Sequence, residues 1–206
     1  MSSASTHVGF STLENTKLLI NNLKESQITT AIVPSPVGKP GGKFSSLFDK
    51  TEDEWNEFGK LLSSYVDIFQ DNGINLGYHN HSFEFQPMKE SSGYDVFVQE
   101  FGDEMMFEVD VFWIKAANLD PVSLIKGLSG RISQLHLKDI KKGINLPIYG
   151  GLPNDAFKEL GNGIIPMEPI IEAAKAAGVE HCHVEQDQSP DPIASIKESM
   201  VYLRGL

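Results

Sequence analysis

Cysteine is nearly absent: Cys182 is the only one in 206 residues, so no internal disulfide framework can form. Its run HCHVEQD reads as a strand that buries the thiol rather than presenting a nucleophile. Basic residues are scarce too. Lys and Arg number 17 against 28 Asp and Glu, a net charge of -11, which excludes a nucleic-acid partner gripped through its phosphates. No apolar run reaches the roughly 20 residues that cross a bilayer, and no membrane partner is expected. The opening MSSASTHVGF has no basic and apolar leader pattern. A cytoplasmic, reducing setting follows as the expectation. With no linker or low-complexity tract, one domain over residues 1–206 is expected.

What the chain does have is alternation. Short β-branched runs take turns with helix-period segments, the pattern of β/α units around a parallel sheet. Strands are expected at Ile28–Pro34, Ile74–His81, Met105–Ile114, Arg131–Asp139 and Val179–Asp187. Helices are expected over Thr12–Glu25, from Thr51 to about Gln70, from Tyr94, at Asp120/Pro121, up to Gly178, and over Asp191–Leu203. The acidic start TEDEW suits a helix N-terminus, and Asp71, Asn72 and Gly73 suit its end. A Gly/Pro-rich loop runs through Gly42, and Ile140–Ile165 reads as a long irregular segment of the kind that carries function.

Chemistry collects where strands end. Glu84, Asp110, His136 and Glu185 each stand at the close of a different strand, and parallel α/β folds gather their site residues there. Carboxylates with one imidazole favour a divalent ion, Mn²⁺ foremost, with Mg²⁺, Co²⁺ or Zn²⁺ as alternatives. Bland readings stand beside this one: His136 packed in its strand, Glu84 solvated in a loop. Asp110, inside the apolar run FEVDVFW, requires a cation or a donor, because an unpaired buried charge costs several kcal/mol. Glu108 alternates with Asp110 and shares its strand face, so pattern alone does not choose between them. By the same parity His79 and His81 share a face, as do His183 and Glu185.

At these residues the sequence resembles the sugar phosphate isomerase/epimerase family, the xylose isomerase-like TIM barrels that also include inosose dehydratases. GYHNHSFEF, FEVDVFWIKAANLDPVSLI, RISQLHLKDI, GNGIIPMEPIIEAAKAAGV and HVEQDQSPDPIASIKESMVYL carry the likeness. It implies a metal held by Glu84, Asp110, His136 and Glu185, with Glu84 and Glu185 as the acid/base pair of an enediolate mechanism. The implied activity is that of a metal-dependent isomerase or epimerase of a sugar or sugar phosphate; an inosose-type dehydratase is the alternative, as is a barrel that binds metal or ligand without catalysis. Substrate contacts would come from His79, His81, Trp113, Lys138 and His183, with Phe83 beside Trp113 as an apolar wall. Lys138 would bind a substrate oxygen or phosphate, or else pair with Asp139 at the surface. The Gly161, Asn162, Gly163 turn resembles the family's loop over the site. Family barrels have eight strands in ~250 residues, so this chain is expected to be an N-terminally incomplete barrel of five to six β/α units. Either the chain is then a fragment or truncated product, or a second copy covers the open barrel edge.

Overall fold

The computed structural model describes residues 5–36, 48 and 50–206. The Gly/Pro-rich loop expected through Gly42 lies outside them. The chain divides into two compact units, Met1–Asn80 with Glu84–Glu108, and His81–Phe83 with Val109–Leu206. No helix among the described residues is long and apolar enough to cross a membrane.

In the first unit, β1 (Ser5–His7) leads through a 3₁₀ turn (Phe10–Asn15) into α1 (Thr16–Glu25) and β2 (Thr30–Val33). Then come α2 (Glu52–Ser63), α3 (Val66–Gln70), β3 (Asn75–His79), α4 (Gly93–Val98) and β4 (Met106–Asp110), whose last two residues belong to the second unit. The strands β1, β2, β3 and β4 are neighbours in that order, all parallel. The register sets His7 beside Ile32, Ile32 beside Gly77 and His79 beside Glu108. Partners in register share a face, so His7, His79 and Glu108 lie on one side of the strands and Tyr78 and Phe107 on the other. That other side meets the helices through a layer of rings. Phe97 lies 5.0 Å from Tyr78, 5.4 Å from Phe58 and 5.5 Å from Trp55, ring centre to ring centre. Gly93 lets α4 close on α2, because a Cβ there would run into the Trp55 indole.

The helix expected from Thr51 to Gln70 is two helices. Ser64 donates its hydroxyl to the Leu61 carbonyl at 2.7 Å, a local bond that competes with continuing the helix. Gly73 ends α3 with φ +73°, as the Asp71, Asn72, Gly73 signal predicts.

The second unit holds α5 (Val111–Ala116), α6 (Pro121–Gly127), β5 (Ile132–Leu137), β6 (Asp139–Ile140) and β7 (Phe157–Lys158). It ends with α7 (Met167–Ala176), β8 (Cys182–Val184) and α8 (Pro192–Leu203). β5 and β8 are parallel, with His136 beside His183. The segment expected to be irregular contains the antiparallel ribbon of β6 and β7. Two further expectations need correction. The run from Met105 to Ile114 is not one strand, because Asp110 caps α5 by accepting from the backbone N–H groups of Phe112 and Trp113. Cys182, expected to be buried, is exposed, and β8 is bonded only to β5 among the described strands. The parallel β/α pattern is that of an incomplete TIM barrel.

Candidate metal and substrate site

Asp110 closes β4 and opens α5, and the two positions divide its carboxylate. Oδ1 accepts from the N–H groups of Phe112 at 2.9 Å and Trp113 at 3.3 Å, which leaves Oδ2 to project from the strand end. There it lies 2.9 Å from Lys138 Nζ and 3.8 Å from His136 Nδ1. His136 and Lys138 alternate along one face at the end of β5, and Glu185 follows β8, tied by its N–H to the Leu137 carbonyl at 3.1 Å. Glu185 Oε2 lies 2.6 Å from His136 Nδ1 and 2.9 Å from Lys138 Nζ. Asp187 adds a third carboxylate, 3.2 Å from the same ammonium.

The charges perturb one another. Burial alone would pull the Lys138 ammonium down, but Asp110, Glu185 and Asp187 hold it well above the ordinary lysine value. Burial would likewise raise Glu185, and contact with His136 and Lys138 outweighs it and holds that carboxyl far below the usual range. Asp187 goes the other way, pushed up by burial and by the charge of Glu185 despite Lys138.

Three carboxylates thus surround one ammonium. The surplus negative charge, with an imidazole nitrogen beside two carboxylate oxygens, is a donor set suited to a divalent cation of the hard to borderline class. Asp110, His136 and Glu185 are residues that could hold one.

Trp113 stands next to this cluster, its ring 5.8 Å from Lys138 Nζ and 5.4 Å from that of His81. His81 in turn stacks on Phe83 at 5.4 Å. His183 Nε2 meets Gln134 Oε1 at 3.2 Å. Of the sequence-derived site residues, the second unit therefore brings together Asp110, His136, Glu185, Lys138, Trp113 and His81, with His183 beside His136 across the strand pair.

Glu84 and His79 belong to the first unit. Glu84 is fully buried, not solvated, and accepts from the Tyr78 hydroxyl at 2.6 Å. Tyr78 faces the helices, and burial together with the Glu84 charge pushes its phenol up. His79 Nδ1 lies 3.0 Å from Glu108 Oε1, an oxygen that His7 Nε2 also contacts, at 2.5 Å. Sequence reasoning gave no role to Asp187 or His7. Asp187 shares strand parity with Glu185, which was a usable signal; nothing in the run THVGF marked His7. Lys138 is buried among carboxylates rather than paired with Asp139 at the surface. Asp139 instead accepts from the backbone N–H groups of Ile140, Gly161, Gly163 and Ile165, pinning the GNG turn.

A model of the xylose isomerase-like TIM barrel matches residues 12–206. An inosose dehydratase of Geobacillus thermodenitrificans is 25% identical over 182 residues, covering 77% of this chain and 58% of that protein. The chain therefore spans little more than half the length of this curated relative. A sugar phosphate isomerase/epimerase of Parabacteroides distasonis superposes with TM-score 0.72 at 25% identity, covering 94% of this chain and 65% of that one. The IOLI protein, solved with a zinc atom, superposes with TM-score 0.70 at 14% identity, over 98% of this chain and 75% of that one. The chain belongs to the xylose isomerase-like TIM barrel family.

Proposed function

We propose that this chain carries a divalent-metal site for proton transfer next to a carbonyl of a sugar or polyol, the shared step of isomerases, epimerases and inosose-type dehydratases. The observation that carries the reading is the convergence of Asp110, His136 and Glu185 on one point of excess negative charge at the strand ends. The zinc atom of the IOLI structure supports it. A bound divalent cation supplies Lewis acidity that polarises a carbonyl and makes the neighbouring C–H acidic.

The protein's own groups do the rest. Asp110 is fully buried, and its capping bonds to α5 fix its angle, so it serves as a rigid ligand. His136 is oriented by its place on β5. Glu185, with a side chain 40% exposed, is the carboxylate of the three most open to a substrate, and His136 and Lys138 keep it in the ionised form that accepts a proton, as a weaker base than a free glutamate. The resemblance pairs it with Glu84 as the second acid/base group. Trp113 and Phe83, joined by the His81 ring between them, form the apolar wall. Isomerisation or epimerisation is the leading reading, and the inosose dehydratase relatives favour dehydration as the second.

Metal analysis of purified protein, with exchange of substrate C–H protons into deuterated water, tests the reading. Asp110→Asn and Glu185→Gln are expected to weaken Mn²⁺ binding at least about tenfold to a hundredfold and to abolish exchange with keto-sugars and inosose. Unchanged metal content in both variants would overturn it. Product mass separates the two reactions, since dehydration loses water and isomerisation conserves mass.

A further inference from the structure

A cavity of about 470 Å³ opens in the second unit beside the strand-end cluster. It lies between the segment that follows β5 and the loop that follows β8, lined by Asn154, Phe157, Lys158, Glu159, Gln186 and Gln188 among others. Both segments leave the C-terminal ends of their strands, the end at which a parallel β/α fold keeps its site. The chain itself separates the two places. Glu185 and Asp187 both reach Lys138, so Gln186, alternating between them, faces the other way and into the cavity. Phe157 marks the shared boundary. It stacks flat on Phe112 at 4.6 Å and lies 6.2 Å from Trp113, whose ring in turn borders Lys138. The cavity is thus a neighbour of the cluster and no part of it.

Its volume falls in the range of small-molecule pockets, about 300–1,000 Å³, but its walls are polar, which excludes an apolar ligand. The polar groups are held in place. Glu159 Oε1 accepts from the hydroxyl of buried Ser195 at 2.6 Å and from Gln186 Nε2 at 3.3 Å. Gln186 Nε2 also donates to the Gln188 carbonyl at 3.1 Å. With both N–H groups engaged, Gln186 keeps its side-chain carbonyl as the group to present to a ligand. The Lys158 ammonium and the amides of Asn154 and Gln188 bring N–H donors to the same space. A phosphate would meet that one ammonium beside the carboxylates of Glu159 and Asp155, and the N-terminus of α8 is capped by Asp191, which accepts from the Ala194 N–H at 3.1 Å. Donors and acceptors side by side in a small cavity match the hydroxyl groups of a sugar ring, each of which both donates and accepts.

We propose that this cavity is a second carbohydrate subsite and that the substrate is a glycoside, its reacting ring at the strand-end cluster and the attached ring in the cavity. The reacting ring rests on the function proposed above; the ligand class of the cavity rests on its own lining.

The test measures binding, so that its outcome does not depend on turnover. The full ¹⁵N-labelled chain is titrated with glucose and with three glucose disaccharides of different linkage, maltose, cellobiose and trehalose. Calorimetry gives the affinities, and the side-chain NH₂ signals of Asn154, Gln186 and Gln188 report the place. At least one disaccharide is expected to bind about tenfold or more tightly than glucose and to shift those signals, and Lys158→Ala and Gln188→Ala are each expected to weaken it about tenfold. Neither side chain belongs to the buried core, so the variants report contact and not folding. A disaccharide that gains nothing over glucose, or a gain that survives both substitutions, overturns the inference. Failure of the reaction class shows elsewhere, as C–H exchange indifferent to Asp110→Asn, and disaccharide binding at the cavity would outlast it.

Discussion

The two units use the same β/α pattern for opposite purposes. The first packs aromatic rings behind its strands, Phe97 among Trp55, Phe58, Tyr78, Tyr94 and Phe101. The second directs charged groups to its strand ends and lines the inner side of its last helix with serines. Ser195 and Ser199 of α8 are buried, the first donating to Glu159 Oε1 at 2.6 Å and the second accepting from the Leu160 N–H at 3.1 Å, while Ile193, Ile196, Met200 and Val201 are exposed. Both units bury apolar side chains, but the first concentrates them in one layer of aromatic rings, whereas the second adds to its aliphatic core a charge cluster and buried serine bonds. Non-directional packing tolerates a distant charge; a balanced cluster does not tolerate the loss of one member.

The largest expected effect tests the apolar side of the contrast. Phe97→Ala removes a fully buried ring and is expected to cost about 3–5 kcal/mol in urea or thermal unfolding. The loss should be the same with and without Mn²⁺, since metal stabilises both proteins by the same mass-action term. Lys138→Met is the counterpart. It leaves three carboxylates without their ammonium and is expected to cost about 3 kcal/mol, the low end of the range for broken buried pairs because Glu185 is partly solvated. Here Mn²⁺ should narrow the gap to the unmodified protein, as the more negative site binds a cation more tightly. If Mn²⁺ acted alike on both variants, the contrast between the units would fail.

Asp110 shows how far the sequence could be read. A carboxylate in the run FEVDVFW announced a partner, and Lys138 and His136 are there. The same run hid the helix start, because VFWI reads as strand by apolar content while the Asp110 side chain bonds the next N–H groups and turns the backbone. Parity along β5 and β8 was legible, hence the placing of Lys138 and His183 with their ligand neighbours. What lay beyond reach were contacts that no sequence spacing announces: Tyr78 claiming Glu84 six residues on, His7 meeting Glu108, and Asp139 gathering the GNG turn. Cys182 was misread because hydropathy does not report which strands have neighbours on both edges.

The turn offers a smaller test of polar support in the second unit. A Cβ at Gly163 would collide with the Asp139 carboxylate and the Ile140 carbonyl, neither of which is a flexible chain end. Gly163→Ala is therefore expected to cost about 1–3 kcal/mol and to raise amide exchange at Gly161 and Ile165, whose N–H groups share that carboxylate. A variant as stable as its parent, with both amides still protected, would mean that Asp139 is not what holds the turn.

The smallest expected effect returns to the first unit, where one polar device interrupts the apolar pattern. Thr51 and Glu54 form a reciprocal cap on α2: the Thr51 hydroxyl accepts from the Glu54 N–H at 3.2 Å, and Glu54 Oε2 accepts from the Thr51 N–H at 2.8 Å. Thr51→Ala removes that first bond and the 3.1 Å bond that the Thr51 hydroxyl donates to Glu54 Oε2, and about 1 kcal/mol is expected. The bond from the Thr51 N–H survives in that variant, and it is chiefly this backbone contact that lowers the Glu54 carboxyl below its ordinary value. A lowered folded value means that this contribution is complete above the unfolded carboxyl's range of about 4.3 and is lost as pH falls through the folded value. Glu54→Gln should thus flatten the acid limb of the stability curve, while Thr51→Ala lowers the curve and reduces its acid slope only in part. Equal slopes in the two variants would show that α2 draws nothing from charge, and the first unit would then be apolar in its energetics even at its helix caps.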